Sequence, residues 1–326
     1  MIRTTLGLST GTATRAVSRR ALTRTVALGA AAALGLAACG AGSNPTAPGT
    51  SGGGSGGAAG AVTSVVVGAA DFSESQVLAE IYAQALAAKG ITATTRPNIG
   101  SREVYLKAVE DKSVDIVPEY TGSLLSYLSK GATAKGSDEV YAALKAALPA
   151  TLTVLAKSTA EDKNSIVVTK DTAAKWSLKS IADLVAHQGE IVVAAPPEFQ
   201  SRQQGLPGLK EAYGFVPKDF RPLKGKAIVD ALIGGQAQAA NIFSTDPAIS
   251  INGFVTLEDP KLIFGSDNVV PLVRKDKATE VVSKALDAVS AKLDTATLTD
   301  LVKQVDVDKK DAKVVAKEWL AKIGLG

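Results

Sequence analysis

Hydrophobic positions along the body of the chain follow two alternating periods. The run SVVVGAA, Ser64 to Ala70, is short, β-branched and interrupted by Gly68, which predicts a strand. In the following SESQVLAEIYAQALAAKG, Val77, Leu78, Ile81, Ala85 and Leu86 recur at helical spacing, with Ser73 as N-cap, Gln76 three residues on and Gly90 as the stop. ITATTRPNI then reads as a strand, SREVYLKAVEDK as a helix and SVDIVPEY as a third strand, closed by a Pro-Glu-Tyr-Thr-Gly turn. That turn holds the Tyr120 ring at the carboxyl end of a strand, an unlikely place for a purely core residue. Repeated β-α-β units predict a parallel sheet with right-handed crossovers.

A second block starts near Ser165. It reads as strand SIVVT, helix SLKSIADLVAH, strand EIVVAAP, a loop and helix through GLPGLKEAYGF, a strand near DFRPL, helix KAIVDALIGG and strand QAANIF. After Asp267 comes one more strand, NVVPLVRK, and then helices from Ala278 to the end, which lack a sheet of their own and are expected to return to the first block. The prediction is therefore an α/β protein of two lobes, residues 64–164 with 268–326 and residues 165–267. Two crossings join them, and a ligand cleft lies where the strand carboxyl ends face each other.

The first 38 residues stand outside this fold. Arg3, Arg15, Arg19, Arg20 and Arg24 precede the Ala-rich run Val26 to Ala38, and the run ends in Leu36-Ala37-Ala38-Cys39. This reads as a secretory signal with a lipobox, making Cys39 the lipidated amino terminus that anchors an extracytoplasmic protein to the cell membrane. Cys39 is the single cysteine of the chain, so it has no disulfide partner within it. Residues 39–63 form the lipidated end and a Gly/Ser-rich tether, whose 21 residues from Gly40 to Gly60 span roughly 25 Å as a random coil. Removing five arginines and no acids takes the formal charge from +4 to −1, so the basic balance belongs to the signal and nucleic acid is not an expected partner.

Candidate chemistry is sparse. His187 is the only histidine and ends an amphipathic helix, where the helix dipole accounts for it. From Ser64 onward the chain lacks the HExxH, GxSxG and GxxxxGK[ST] patterns, and earlier GxSxG matches, those at Gly49 and Gly53 among them, fall in the signal or the Gly/Ser-rich tether, so neither a metal, a cofactor nor a catalytic residue is expected. Trp319 and Tyr82 fall in apolar stripes and read as core, Trp176 as an anchor before a helix, and Asp246 as a helix-start residue.

Four blocks carry a likeness to a known family: VVVGAADFSESQVLAEIYAQALAAKG, NIGSREVYLKAVEDKSVDIVPEYTGSLL, EFQSRQQGLPGLKEAYGF and ANIFSTDPAI. In order and spacing the chain resembles the substrate-binding lipoproteins of ABC importers for glycine betaine, choline and carnitine, from Ser64 to about Leu325. The resemblance implies a type II periplasmic-binding-protein fold, a monomer, and as partners a small-molecule ligand, an ABC permease and, through it, cytoplasmic ATPases.

It also implies a site in which tyrosine faces hold a quaternary ammonium group and an arginine holds the ligand carboxylate. Position by position, Tyr120 matches a family tyrosine, Ser123 a hydroxyl residue and Arg202 the carboxylate-binding arginine, while Phe243 stands where a cage tyrosine is usual. Ser165 and Asp267 occupy the places of two further cage tyrosines, and Ala70 the place of a common lysine. Ser73, Ser75 and Ser101 complete the expected polar contacts. With two of four faces replaced, three readings stay open: a betaine or choline carrier, a carrier of a polyhydroxylated or aromatic solute, and a ligand sensor for a membrane receptor.

Overall fold

The computed structural model describes residues 62–326; the signal segment, Cys39 and nearly all of the tether lie outside the described residues. The first block folds as β1 (Ser64–Gly68), α1 (Ser73–Ala87), β2 (Thr92–Arg96), α2 (Arg102–Glu110), β3 (Ile116–Tyr120), α3 (Thr121–Leu128), α4 (Ser137–Ala147) and β4 (Leu152–Val154). The second comprises β5 (Asn164–Val168), α5 (Lys170–Trp176), β6 (Val192–Ala195), α6 (Leu206–Tyr213), β7 (Asp219–Pro222), α7 (Lys226–Ile233), β8 (Ala239–Phe243), α8 (Ala248–Ile251) and β9 (Val255–Thr256). The chain then returns through β10 (Val269–Arg274) and ends in α9 (Glu280–Ser290), α10 (Thr295–Asp306) and α11 (Ala312–Lys322).

There are two five-stranded sheets, ordered β2-β1-β3-β10-β4 and β7-β6-β8-β5-β9. Both are mixed, which corrects the expectation of parallel sheets. In the first, β10 runs antiparallel to β3 and β4; in the second, β5 runs antiparallel to β8 and β9. Each antiparallel strand lies directly after or before a crossing between the sheets, so it enters its sheet from the cleft side rather than over a covering helix.

The Tyr120 turn also differs from expectation. Pro118, Glu119 and Tyr120 belong to β3 itself, and α3 begins at the next residue. Pro118 faces Pro271 in the β3–β10 register, and β1 pairs with β3 only at Val67 and Ile116. β3 therefore continues beyond its parallel neighbour, which carries Glu119 and Tyr120 toward the cleft.

The stripe of α1 forms the centre of one core, packed against the β1/β3/β10 face and the returning helices α9, α10 and α11, with Trp319 included. The opposite face of that sheet is covered by α2, α3 and α4. In the second lobe Ile166, Val193, Phe199 and Leu209 fill one face of the sheet, and Ile228, Leu232 and Ile242 the other. Ser180 and Asp183 form a capping box at the start of a 3₁₀ helix, Ile181–His187, where a longer α-helix was expected. His187 stacks on Trp176 with ring centroids 4.9 Å apart, so the lone histidine and one of the two tryptophans account for each other.

The two crossings touch. Glu161 bridges Asn268, and the Asp162 N–H donates to the Asp267 carbonyl at 3.1 Å. No described helix is long and apolar enough to cross a membrane.

Candidate functional site

Between the two sheets lies an aromatic chamber of about 550 Å³, continuous with a recess of about 630 Å³ through shared lining residues such as Ser123, Arg202 and Phe243. Three rings stand in a row in the chamber. Phe72 lies between Tyr120, 6.3 Å away between centroids, and Phe243, 5.6 Å away, with both pairs tilted by about 30°. Phe72 is the extended residue just before α1, Tyr120 ends β3 and Phe243 ends β8, so both lobes present rings from strand ends. Sequence reading counted only two of these faces. Phe72 carried the same signal as Tyr120, an aromatic side chain at the carboxyl end of a predicted strand, in the stretch GAADF.

Carboxylates surround the rings. Glu74, in the first turn of α1, accepts from the Tyr120 hydroxyl and from Thr245 Oγ1, each at 2.6 Å. Asp162, on the first crossing, accepts from the Thr245 N–H at 3.1 Å. Asp267, on the second crossing, accepts from the backbone N–H groups of Gly122 at 2.7 Å and Ser123 at 2.9 Å, thereby capping α3 from another part of the chain. Gly122 is required there: a Cβ would stand 2.4 Å from the Ser266 carbonyl oxygen, so only glycine lets the crossing come this close.

The expected hydroxyls have other partners. Ser73 lines the chamber as the first residue of α1 rather than its N-cap, which is Phe72, and it donates to Asp306. Ser101 lines the chamber and donates to Glu103. Ser123 Oγ lies 2.5 Å from Asp267 Oδ2 and 2.8 Å from Gln204 Oε1. With one proton for two acceptors, Ser123 donates to Gln204 when Asp267 is protonated and donates in its turn.

Two expected contacts do not reach the chamber. Ser75 is buried behind the lining, where its hydroxyl accepts from the Ala70 N–H. Ser165 turns its hydroxyl to the Ile242 carbonyl, and its neighbour Asn164, paired with Phe243, lines the chamber instead. Successive strand residues face opposite sides, so an alignment displaced by one residue exchanges lining for backing.

Arg202 lines the chamber from the second lobe, but its guanidinium is already engaged. Nε and Nη2 donate to the two Glu103 oxygens at 3.0 and 2.9 Å, an ion pair between the lobes rather than a free carboxylate receptor. Lys224 reaches Asp71 across the same gap at 2.6 Å. Arg102 is buried and held in a fork by Glu119, which also accepts from Tyr105 and from the Tyr120 N–H. Among the described residues, no cluster of His, Cys, Asp and Glu is arranged to hold a metal ion.

A family model described as the substrate binding domain of ABC-type glycine betaine transport systems matches residues 63–322. The chain belongs to this family. It is 30% identical over 276 residues to the glycine betaine-binding protein YehZ of Escherichia coli K12, covering 80% of this chain and 90% of that one. A glycine-betaine-binding protein of Pseudomonas aeruginosa is 28% identical, covering 78% and 86%. A crystal structure of a glycine betaine/carnitine/choline ABC transporter protein superposes with a TM-score of 0.64 at 24% identity, covering 80% of this chain and 99% of that one, which shows the shared fold. As a member of this family the chain is a substrate-binding component of an ABC transporter, working outside the cytoplasm, and not an enzyme.

The electrostatics of this family member are dominated by burial. Desolvation raises the Glu74 carboxyl to about 7, against the lowering effect of its Thr245 and Tyr120 hydrogen bonds. It raises Asp267 to about 7 as well, opposed by the Ser123 hydrogen bonds and by Arg102. Asp162 is raised well above the usual carboxylate range by burial and then by the nearby Glu74. Glu103 goes the other way: partial burial disfavours its anion, yet Arg202 and Ser101 bring it down to about 2.

Proposed function

We propose that this protein captures a quaternary ammonium solute of the glycine betaine/choline type between its lobes and delivers it to an ABC permease. The observation that carries the reading is the row of Phe72, Tyr120 and Phe243 beside buried carboxylates. Ring faces attract a weakly hydrated cation, each by about 0.5–2 kcal/mol, so three of them supply roughly 1.5–6 of the about 8 kcal/mol of micromolar capture and leave the adjacent carboxyl groups and the buried methyls to supply the rest. On this reading the lobes are residues 64–164 with 268–326 and residues 165–267, which close over the ligand by bending at the two crossings. Cys39, lipidated after signal cleavage, keeps the protein at the membrane surface, on a tether long enough to search for the permease.

Isothermal titration of the protein with glycine betaine, choline, carnitine and proline betaine is the direct test. Micromolar binding of at least one is expected, with a loss of about tenfold or more in Phe72→Ala; absence of heat with all four refutes the reading. Lipid anchoring is tested separately by membrane fractionation, with Cys39→Ala expected in the soluble fraction.

A further inference from the structure

Charge in the aromatic chamber is unevenly assigned. Each of four basic side chains in its lining already has an acid: Arg102 has Glu119, Arg202 has Glu103, Lys224 has Asp71 and Lys226 has Asp230. The fifth, Lys309, donates to the Asp306 carbonyl. Among the described residues, Glu74, Asp162 and Asp267 form no ion pair, although each is at most 4% exposed. Their partners are hydroxyls and backbone N–H groups, which orient a carboxylate without neutralising it.

We infer that the chamber selects an organic cation with no anionic group of its own, and that Glu74, Asp162 and Asp267 set this preference. The inference rests on the quaternary ammonium reading above and divides its substrate class. An alcohol or alkyl end can lie beside the three acids, and a hydroxyl there has several carboxylate oxygens to donate to. A carboxylate end meets like charges at short range once the ammonium head has drawn these acids into their ionised form. Arg202, the arginine expected to receive it, must leave Glu103 and strand that carboxylate. Burial holds Glu74 and Asp267 near 7, and an adjacent cation is the kind of charge that draws them into the ionised form.

The test compares choline with glycine betaine, which share a trimethylammonium head and differ in an alcohol against a carboxylate. Calorimetry on the wild-type protein is expected to give choline the lower Kd by about tenfold or more. Glu103→Gln, a half-exposed change, frees Arg202 and is expected to shift the ratio of the two affinities toward glycine betaine by about tenfold, whatever the lost cross-gap pair costs both ligands alike. Glu74→Gln, checked for folding by its melting curve, is expected to shrink the choline advantage. Glycine betaine binding as tightly as choline overturns the inference and leaves the quaternary ammonium reading standing, as does a selectivity ratio unmoved by Glu103→Gln. Failure of both ligands to bind overturns the inference, and failure of carnitine and proline betaine as well overturns the quaternary ammonium reading.

Discussion

The two lobes face the same chamber with different materials. The first presents groups fixed from several sides: Glu119 is fully buried between Arg102, Tyr105 and the Tyr120 N–H, and Tyr120 is bonded in turn to Glu74. The second presents long side chains from loops, Arg202 and Lys224, whose partners Glu103 and Asp71 belong to the first lobe. A platform with internally satisfied polar groups keeps its geometry when the lobes part, whereas a jaw held by cross-gap ion pairs gives up those contacts on opening. Mutations on the platform should therefore be read in stability and those on the jaw in closure.

Glu119→Ala is the strongest way to break that contrast. It leaves Arg102 buried without its anion, and a loss of about 3–5 kcal/mol is expected in denaturant unfolding. A loss below about 1 kcal/mol would mean that the platform is not pre-built.

Next comes pH. Glu74 stays protonated up to about 7 in the fold, against an ordinary 4.5, so the folded chain binds the extra proton between those values. Its contribution, about 3 kcal/mol, is complete below pH 4.5 and is lost as pH rises through 7. Without ligand, Tm is expected to fall between pH 5 and 8, and Glu74→Gln to flatten the slope. A rising Tm over that range would contradict the buried, protonated state.

Gly122→Ala is expected to cost about 1–3 kcal/mol, because its new methyl meets the Ser266 carbonyl and something must shift. Since the same approach brings Asp267 to α3, ligand affinity should fall with stability, a coupling that calorimetry and melting curves together will detect. The smallest effect belongs to the jaw. Lys224→Ala removes a pair whose lysine is 60% exposed, so stability should move by no more than about 0.5 kcal/mol. Small-angle scattering should nonetheless show a more open average shape; an unchanged profile would deny this ion pair a part in closure.

Much of this architecture was readable from spacing. Apolar periodicity located β1, α1, β2, α2 and β3, and the surplus of helices after a single late strand indicated the return to the first lobe. Strand direction was not readable, since NVVPLVRK has the same pattern whichever way it enters a sheet. Within the site, Tyr120 stood out because proline and glycine bracket it. Phe72 went uncounted because the neighbouring Ala70 drew the comparison, although the ring two residues later faces the chamber. Glu74 looked like an ordinary acid in a helix's first turn, and only burial separates it from a solvated one. Arg202 was located in the cleft lining from its motif, but its engagement by Glu103 depends on a contact 99 residues away.

The hydrogen bond between the Asp162 N–H and the Asp267 carbonyl joins the two crossings at the point where their side chains meet the chamber. If the lobes bend at the crossings as proposed, the fulcrum carries its own electrodes. A rotation of one lobe on the other carries Phe243 away from Phe72 and Tyr120 beside these carboxyl groups, so the leverage that parts the lobes also dismantles the field around the solute. On the proposed reading, release then needs no separate trigger: whatever parts the lobes unfastens the cargo in the same stroke.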